Sequence, residues 1–256
     1  MEDSTSESKK RWNEFLGFLS KFETTNFVFR GHGDKCFKLQ PNIGRMVDGK
    51  SIYSFNEEWA VFAQFKRQVR QFTKNDVRDE WELLALGQHH GLPTRLLDWT
   101  YSVLIACYVA VSTEDECDGQ IIALKISRDD FIDDKDVSPF NLGRVKFFIP
   151  PALSPRIINQ RGLFSVHHQP KEPWVPKKRT TQYFDIPSEM KRYFRKQLFL
   201  LGINPLSVKT DIDGLGEMLK WQYRTAYGLR MDKKYPKSSQ SNVSHGLICD
   251  VADESE

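Results

Sequence analysis

Three observations in the sequence predict an α+β protein. Apolar side chains recur at helical spacing in some segments, beginning with Trp12, Phe15, Leu16, Phe18, Leu19 and Phe22. Others are short runs of β-formers punctuated by Gly and Pro, such as Asn26–Arg30 and Gly119–Ile126. The strand-like runs also lie far apart, so any sheet is fed from distant parts of the chain.

Taken in order, residues 1–10 are polar and read as a frayed end, followed by a first amphipathic helix that ends near Glu23. A short strand over Asn26–Arg30 is stopped by Gly31 and Gly33, and Lys38–Pro41 is a loop. Phe55, Trp59, Phe62, Phe65, Val69 and Phe72 set a long helix from Ser54 to about Thr73, its charges on the other face. A second helix runs from Trp81 to His90, where Gly91 supplies a C-cap and Pro93 forbids continuation. Thr94–Asp98 reads as a buried strand, with Thr100 as N-cap of the apolar helix Val103–Val111. Gly119–Ile126 and Ile157–Val166 are further strands, and Lys171–Thr181 is a basic, proline-rich loop. Helices follow over Ser188–Gly202 and Leu215–Tyr227, and beyond Met231 the polar composition predicts a flexible tail.

Composition narrows the class. With 39% hydrophobic residues, 18 Phe and 6 Trp among 256 residues, the chain can bury a sizeable core, which excludes wholesale disorder. A formal net charge of +3 permits an anionic partner but falls short of the strongly basic balance of duplex-binding domains. Cys36, Cys107, Cys117 and Cys249 have no CxxC spacing, which argues against a zinc site or disulfide scaffold and for free thiols in a reducing compartment. The first residues resemble no signal peptide and no apolar run approaches the ~18 residues of a membrane span. A cytoplasmic protein with no membrane partner is expected.

Chemistry concentrates in two segments. In Phe27-Val-Phe-Arg30-Gly31 a guanidinium leaves a strand beside glycines that let backbone approach a ligand, a planar donor fork suited to phosphate or pyrophosphate. The alternative is an arginine pinning a core carboxylate. Residues 88–100, QHHGLPTRLLDWT, pack two imidazoles, an arginine, a carboxylate and an indole around a forced turn. His89 and His90 diverge by about 100° on a helix and cannot chelate one metal, so no metal site is expected. The alternative is that one caps the helix while the other is bonded inside, and that Arg95 and Asp98 pair in the core. No GxSxG elbow, P-loop or GxGxxG is present. Lys177, Lys178 and Arg179 could attract nucleic acid or form an ordinary solvated face.

Together, FVFRGHG, ELLALGQHHGLPTRLLDWTYSVLIACYVAV, RIINQRGLFSV and INPLSVKTDIDGLGEMLKW resemble the FRG domain family, named for its Phe-x-x-Arg-Gly-type signature. The resemblance implies an FRG domain over residues 24–228, preceded by an N-terminal helical extension, 1–23, and followed by the tail, 229–256.

The motif order is also similar to the toxin-like ADP-ribosyltransferase fold, implying a split β-sheet core surrounded by helices. Arg30, Thr100 and Gln160 fall in the roles of that fold's strand-end arginine, hydroxyl and late polar residue. The resemblance implies NAD as substrate, bound by Arg30, Gly31, Gln88, Arg95, Asp98 and Trp99, with His89 or His90 as base toward the acceptor. Gln160 stands where many such transferases carry Glu, which can stabilise positive charge that an amide cannot. The acceptor is nucleic acid, met by Lys177, Lys178, Arg179 and Trp174, or protein. A bacterial defence or toxin module, with an antitoxin or regulatory partner, is the expected setting; the alternative is a non-catalytic module binding nucleic acid or protein.

Overall fold

The computed structural model describes residues 2–22, 26–47, 50–51, 53–72, 79–113, 116–132, 137–150 and 161–228. In chain order the elements are α1 (Glu2–Leu19), β1 (Phe27–His32), β2 (Met46–Val47), β3 (Lys50–Ser51), α2 (Phe55–Gln68), α3 (Glu80–His89), β4 (Leu96–Thr100), α4 (Val103–Ser112), β5 (Gly119–Lys125), β6 (Lys146–Phe148), β7 (Gly162–Val166), β8 (Thr181–Ile186), α5 (Lys191–Leu200), α6 (Pro205–Lys209) and α7 (Ile212–Thr225). Helices, a six-stranded antiparallel sheet and the small antiparallel pair β2–β3 make it an α+β protein. The chain divides into two compact units, 1–218 and 219–256, and the sheet belongs to the first. In the second, Thr225 Oγ1 donates to Trp221 O at 2.8 Å and Gln222 Nε2 to Gly228 O at 3.1 Å.

The six strands run in the order β6-β7-β4-β1-β5-β8, each antiparallel to its neighbours. Their joins differ in length. β1 pairs with β5 from Phe27↔Lys125 to His32↔Gln120, and β4 with β7 from Leu96↔Val166 to Thr100↔Gly162. Between β1 and β4 the register holds only Phe29↔Thr100. Two three-stranded halves therefore meet at one paired position, and the chain ends Arg30–His32 and Leu96–Trp99 leave each other beyond it.

Paired residues of antiparallel strands point the same way, and side chains alternate along each strand. Phe29, Ile121, Ala123, Phe184 and Ile186 thus share a face, and α1, α4 and α5 cover it with Trp12, Phe15, Phe18, Ala106, Cys107, Phe194 and Leu198. On the same face of the other half, Leu96, Phe148, Phe164 and Val166 pack against Phe62 of α2 and Trp81, Leu83 and Leu84 of α3. The opposite face buries Val28, Leu97, Trp99, Ile122, Leu124 and Leu163 under loop residues such as Leu39, Phe131 and Trp174.

Local signals explain most helix ends. Ser54 caps α2 by accepting Glu57 N–H at 3.2 Å, and Asp79 caps α3 by accepting Trp81 N–H at 2.9 Å. Gly91, expected as the cap residue after α3, has φ +85°, a left-handed conformation that glycine adopts without strain. Thr100 is not the N-cap of α4. It lies in β4, its hydroxyl accepts Ser102 N–H at 3.0 Å, and Ser102 is the cap, accepting Ile105 N–H at 3.4 Å.

Other boundaries also differ from expectation. Helix α1 starts at Glu2 rather than after residue 10, β4 begins at Leu96 rather than Thr94, and strands β6 and β8 and helix α6 were not foreseen. The expected strand over 157–166 is described only as β7, and the predicted tail, 229–256, lies outside the described residues.

Candidate functional site

Where β1 and β4 part, a cleft of about 340 Å³ opens on the helix-bearing face. Phe29, Arg30 and Gly31 of β1 and Asp98, Trp99 and Thr100 of β4 form its floor, α3 contributes Gln88 and His89, and α4 contributes Ile105, Ala106 and Val109. Phe164 of β7 completes it.

Strand alternation puts Arg30 on the same face as Ile122, away from the cleft, yet its guanidinium reaches the gap between the strands. Arg30 Nη1 donates to the backbone carbonyl of Asp98 at 2.5 Å, a group that no longer has a β1 ladder partner at this point. Arg30 Nε donates to His32 Nε2 at 3.1 Å. Among the described residues this leaves Nη2 available to a ligand. Burial pulls the Arg30 pKa down, and the Asp98 charge pushes it back up.

Asp98 faces the cleft with its side chain 63% exposed, and its carboxylate lies 3.8 Å from Arg30 Nη1. Gln88 Nε2 donates to Asp98 Oδ2 at 3.1 Å, and the Thr94 hydroxyl donates to Gln88 Oε1 at 2.6 Å. Thr94 Oγ1 accepts Leu96 N–H in turn, so the amide is oriented from the start of β4. The chain Thr94–Gln88–Asp98–Arg30–His32 fixes the polar rim of the cleft.

His32 is 4% exposed and acts as acceptor through Nε2, which puts its proton on Nδ1. Burial, then the Arg30 and Arg45 charges, hold its pKa down to about 3, with the Phe37 backbone and Asp34 opposing. A second buried imidazole, His167, lies like Arg30 and His32 on the face away from the helices, beside Trp99 and Trp174. Trp99 Nε1–H donates to Ser165 Oγ at 2.9 Å, and the hydroxyl meets His167 Nε2 at 2.9 Å. Burial, with Arg30, His168 and Arg95 nearby, lowers the His167 pKa to about 3.

Gly31 lines the cleft and also meets a packing demand. A Cβ there would stand 2.0 Å from Ala106 O and 2.8 Å from Ala110 N. The glycine admits α4 against β1, and that contact sets the cleft wall.

The sequence-derived residues divide into groups. Arg30, Gly31, Gln88, His89, Asp98, Trp99 and Thr100 line the one cleft, whereas His90 is exposed on the turn after α3 and does not. Its ring meets His89 edge-on, with centroids 4.9 Å apart. Arg95 is neither a ligand-facing residue nor the partner of Asp98. It is 1% exposed and forms a forked pair with Glu58 of α2, Nε–Oε1 2.8 Å and Nη2–Oε2 2.6 Å, stacked 4.8 Å from the Phe140 ring centroid. Its position one residue before β4 aims it under α2.

Gln160 lies outside the described residues. Trp174, Lys177 and Arg179 line a separate cleft, and Lys178 lies in the same turn without lining it. His32 and Thr94 were missed; period-two spacing from Arg30 was the available signal for His32. Among the described residues, no His, Cys, Asp and Glu cluster suited to a metal occurs, and no helix is long and apolar enough to cross a membrane.

The fold is an α+β domain whose candidate site is the cleft where two strands part, beside a strand-end Arg-Gly pair. Residues 25–119 match the model of the FRG domain family, so this stretch of the chain carries that family's pattern. That match contains every cleft residue except Phe164. No curated protein and no solved structure matches the chain.

Proposed function

We propose that the cleft takes NAD and that the protein is an NAD-dependent ADP-ribosyltransferase acting on a nucleic acid or protein acceptor. The observation that carries this reading is the meeting of Arg30 and Thr100, from different strands, in one cleft with a carboxylate, an amide and an imidazole. Its volume falls within the range of roughly 300–1,000 Å³ usual for small-molecule sites.

In this reading the free Nη2 edge of Arg30 holds the pyrophosphate. Asp98 is the anionic group in the cleft. It stabilises the positive charge that develops on the ribose as the bond from C1 to the nicotinamide nitrogen breaks and the electron pair leaves with nicotinamide. Thr100 borders the nicotinamide side. His89 accepts the proton of the acceptor nucleophile as its lone pair bonds the ribose carbon.

The test is release of nicotinamide from labelled NAD by purified protein with mixed nucleic acids and proteins as acceptors. Arg30→Gln is expected to reduce turnover at least about 100-fold at an unchanged fold, the scale of losing a principal charge-stabilising donor. Absence of both nicotinamide release and label transfer would exclude the transferase. A melting temperature raised by NAD without turnover would assign the cleft to a non-catalytic binding module instead.

A further inference from the structure

A second cleft, of about 570 Å³, lies at the end of β5, bounded by Leu124, Lys125, Phe147, Trp174, Lys177 and Arg179 among others. Its floor is apolar and aromatic. Leu124 and Phe147 are 3% exposed each, and Trp174 is half-buried, its ring edge-on to Trp99 and Phe147 at 6.4 Å and to His167 at 5.6 Å. The rim is cationic. Lys125, Lys177 and Arg179 are all exposed, and among the described residues none is paired with a carboxylate.

Asp130, the carboxylate that also lines the cleft, is already used. Its Oδ2 accepts Ser127 N–H at 2.7 Å and the Ser127 hydroxyl at 2.8 Å. The loop carrying Trp174 and the basic residues is fixed in advance. Trp174 N–H donates to Leu39 O at 2.9 Å, and Lys177 O accepts from Thr180 N at 2.9 Å, Thr180 Oγ1 at 2.8 Å and Thr181 Oγ1 at 3.1 Å. An aromatic floor below unpaired cations suits a nucleotide unit, whose base stacks while its phosphate meets the charges. The base face must be accessible, which a duplex denies.

We propose that this cleft binds a nucleotide unit of single-stranded nucleic acid. As an acceptor site it rests on the transferase reading; as a binding site it stands without it.

The experiment is fluorescence anisotropy of labelled single-stranded RNA and DNA of about 12 nucleotides, within the usual site sizes, at roughly 50 mM salt, where phosphate contacts are weakly screened. Replacing Lys125, Lys177 and Arg179 together by Ala, all exposed and harmless to packing, is expected to weaken binding at least about tenfold. Trp174→Leu, checked for an unchanged circular dichroism spectrum, weakens it further through lost stacking. AMP competes, and inorganic phosphate at the same concentration does not. Arg30→Gln leaves oligonucleotide affinity intact while abolishing NAD turnover. Wild-type affinity in the triple variant, equal competition by phosphate, or tighter binding of duplex would each overturn the proposal. Oligonucleotide bound with no NAD consumed sinks the transferase alone; NAD consumed with no oligonucleotide bound sinks this site alone.

Discussion

His32 Nε2 accepts the Nε–H of Arg30 at 3.1 Å, so a neutral buried imidazole holds the arginine of the β1–β4 gap in place. Protonating that ring would put an N–H against a guanidinium. With its pKa near 3, the ring stays neutral throughout the physiological range. His32 is a positioning residue, and His32→Ala is expected to weaken NAD binding, read as a smaller melting-temperature rise with NAD, while Arg30 itself remains.

Acid stability follows from the same burial. His32 and His167 both have folded-state pKa values of about 3, against an ordinary 6.5. Between those limits the unfolded chain binds protons that the folded chain refuses, so stability is complete above pH 6.5 and declines as pH falls toward 3. The slope is about 1.4 kcal/mol per pH unit for each histidine. Urea unfolding at a series of pH values measures it, and His167→Gln should reduce the slope by one histidine's share. A flat profile from pH 6.5 to 4.5 would contradict the buried neutral assignment.

The Arg95–Glu58 pair makes a separate prediction, one of stability without chemistry. Both side chains are nearly inaccessible, at 1% and 2% exposure. Glu58→Gln leaves a buried guanidinium without its counter-charge and should cost about 3–5 kcal/mol. Exchanging both residues for apolar ones of similar volume, Arg95→Met with Glu58→Leu, should restore most of that loss. Thermal unfolding of the two variants decides it, and equal destabilisation of both would show that the fork's geometry, not its charge balance, is what α2 needs.

Gly31→Ala tests the cleft wall. A methyl 2.0 Å from Ala106 O cannot coexist with α4 where it lies. Either α4 withdraws or the fold loosens, so the melting temperature falls and ligand binding at Ile105, Ala106 and Val109 weakens together with it. An alanine variant with unchanged melting temperature and NAD response would refute the contact.

What the sequence disclosed follows from the range of the interactions. Helices α2, α3 and α4 were legible because their apolar spacing, Ser54 at the start of α2 and Gly91 after α3 are local signals. β8 was hidden because Lys177–Arg179 dominate the segment before it and its Tyr183 is 52% exposed, which blurs a period-two pattern. The 88–100 motif was visible as a cluster, but not which members share a surface. Arg95 takes its partner from α2, 37 residues earlier, and Arg30 reaches Asp98 across 68 residues. Such pairings are set by sheet order, which local patterns do not encode.

Sheet order also changes the standing of α1, which the sequence presents as an extension ahead of the domain. Phe15 is 0% exposed, with ring centroids 5.6 Å from Phe184 of β8 and 5.8 Å from Phe194 of α5. Arg11 stacks 4.2 Å over Phe184 and donates to Asp185 O through Nε at 3.1 Å, tying the helix to the edge strand. Phe15→Ala should therefore cost about 3–5 kcal/mol, the range for a fully buried phenylalanine. Leu16, 43% exposed on the neighbouring position, serves as control, and Leu16→Ala should cost much less. Equal small losses for the two would mean that the sheet half β1-β5-β8 holds without α1; the expected contrast would make α1 a structural wall of the domain, whose removal also exposes Phe184 and Phe194.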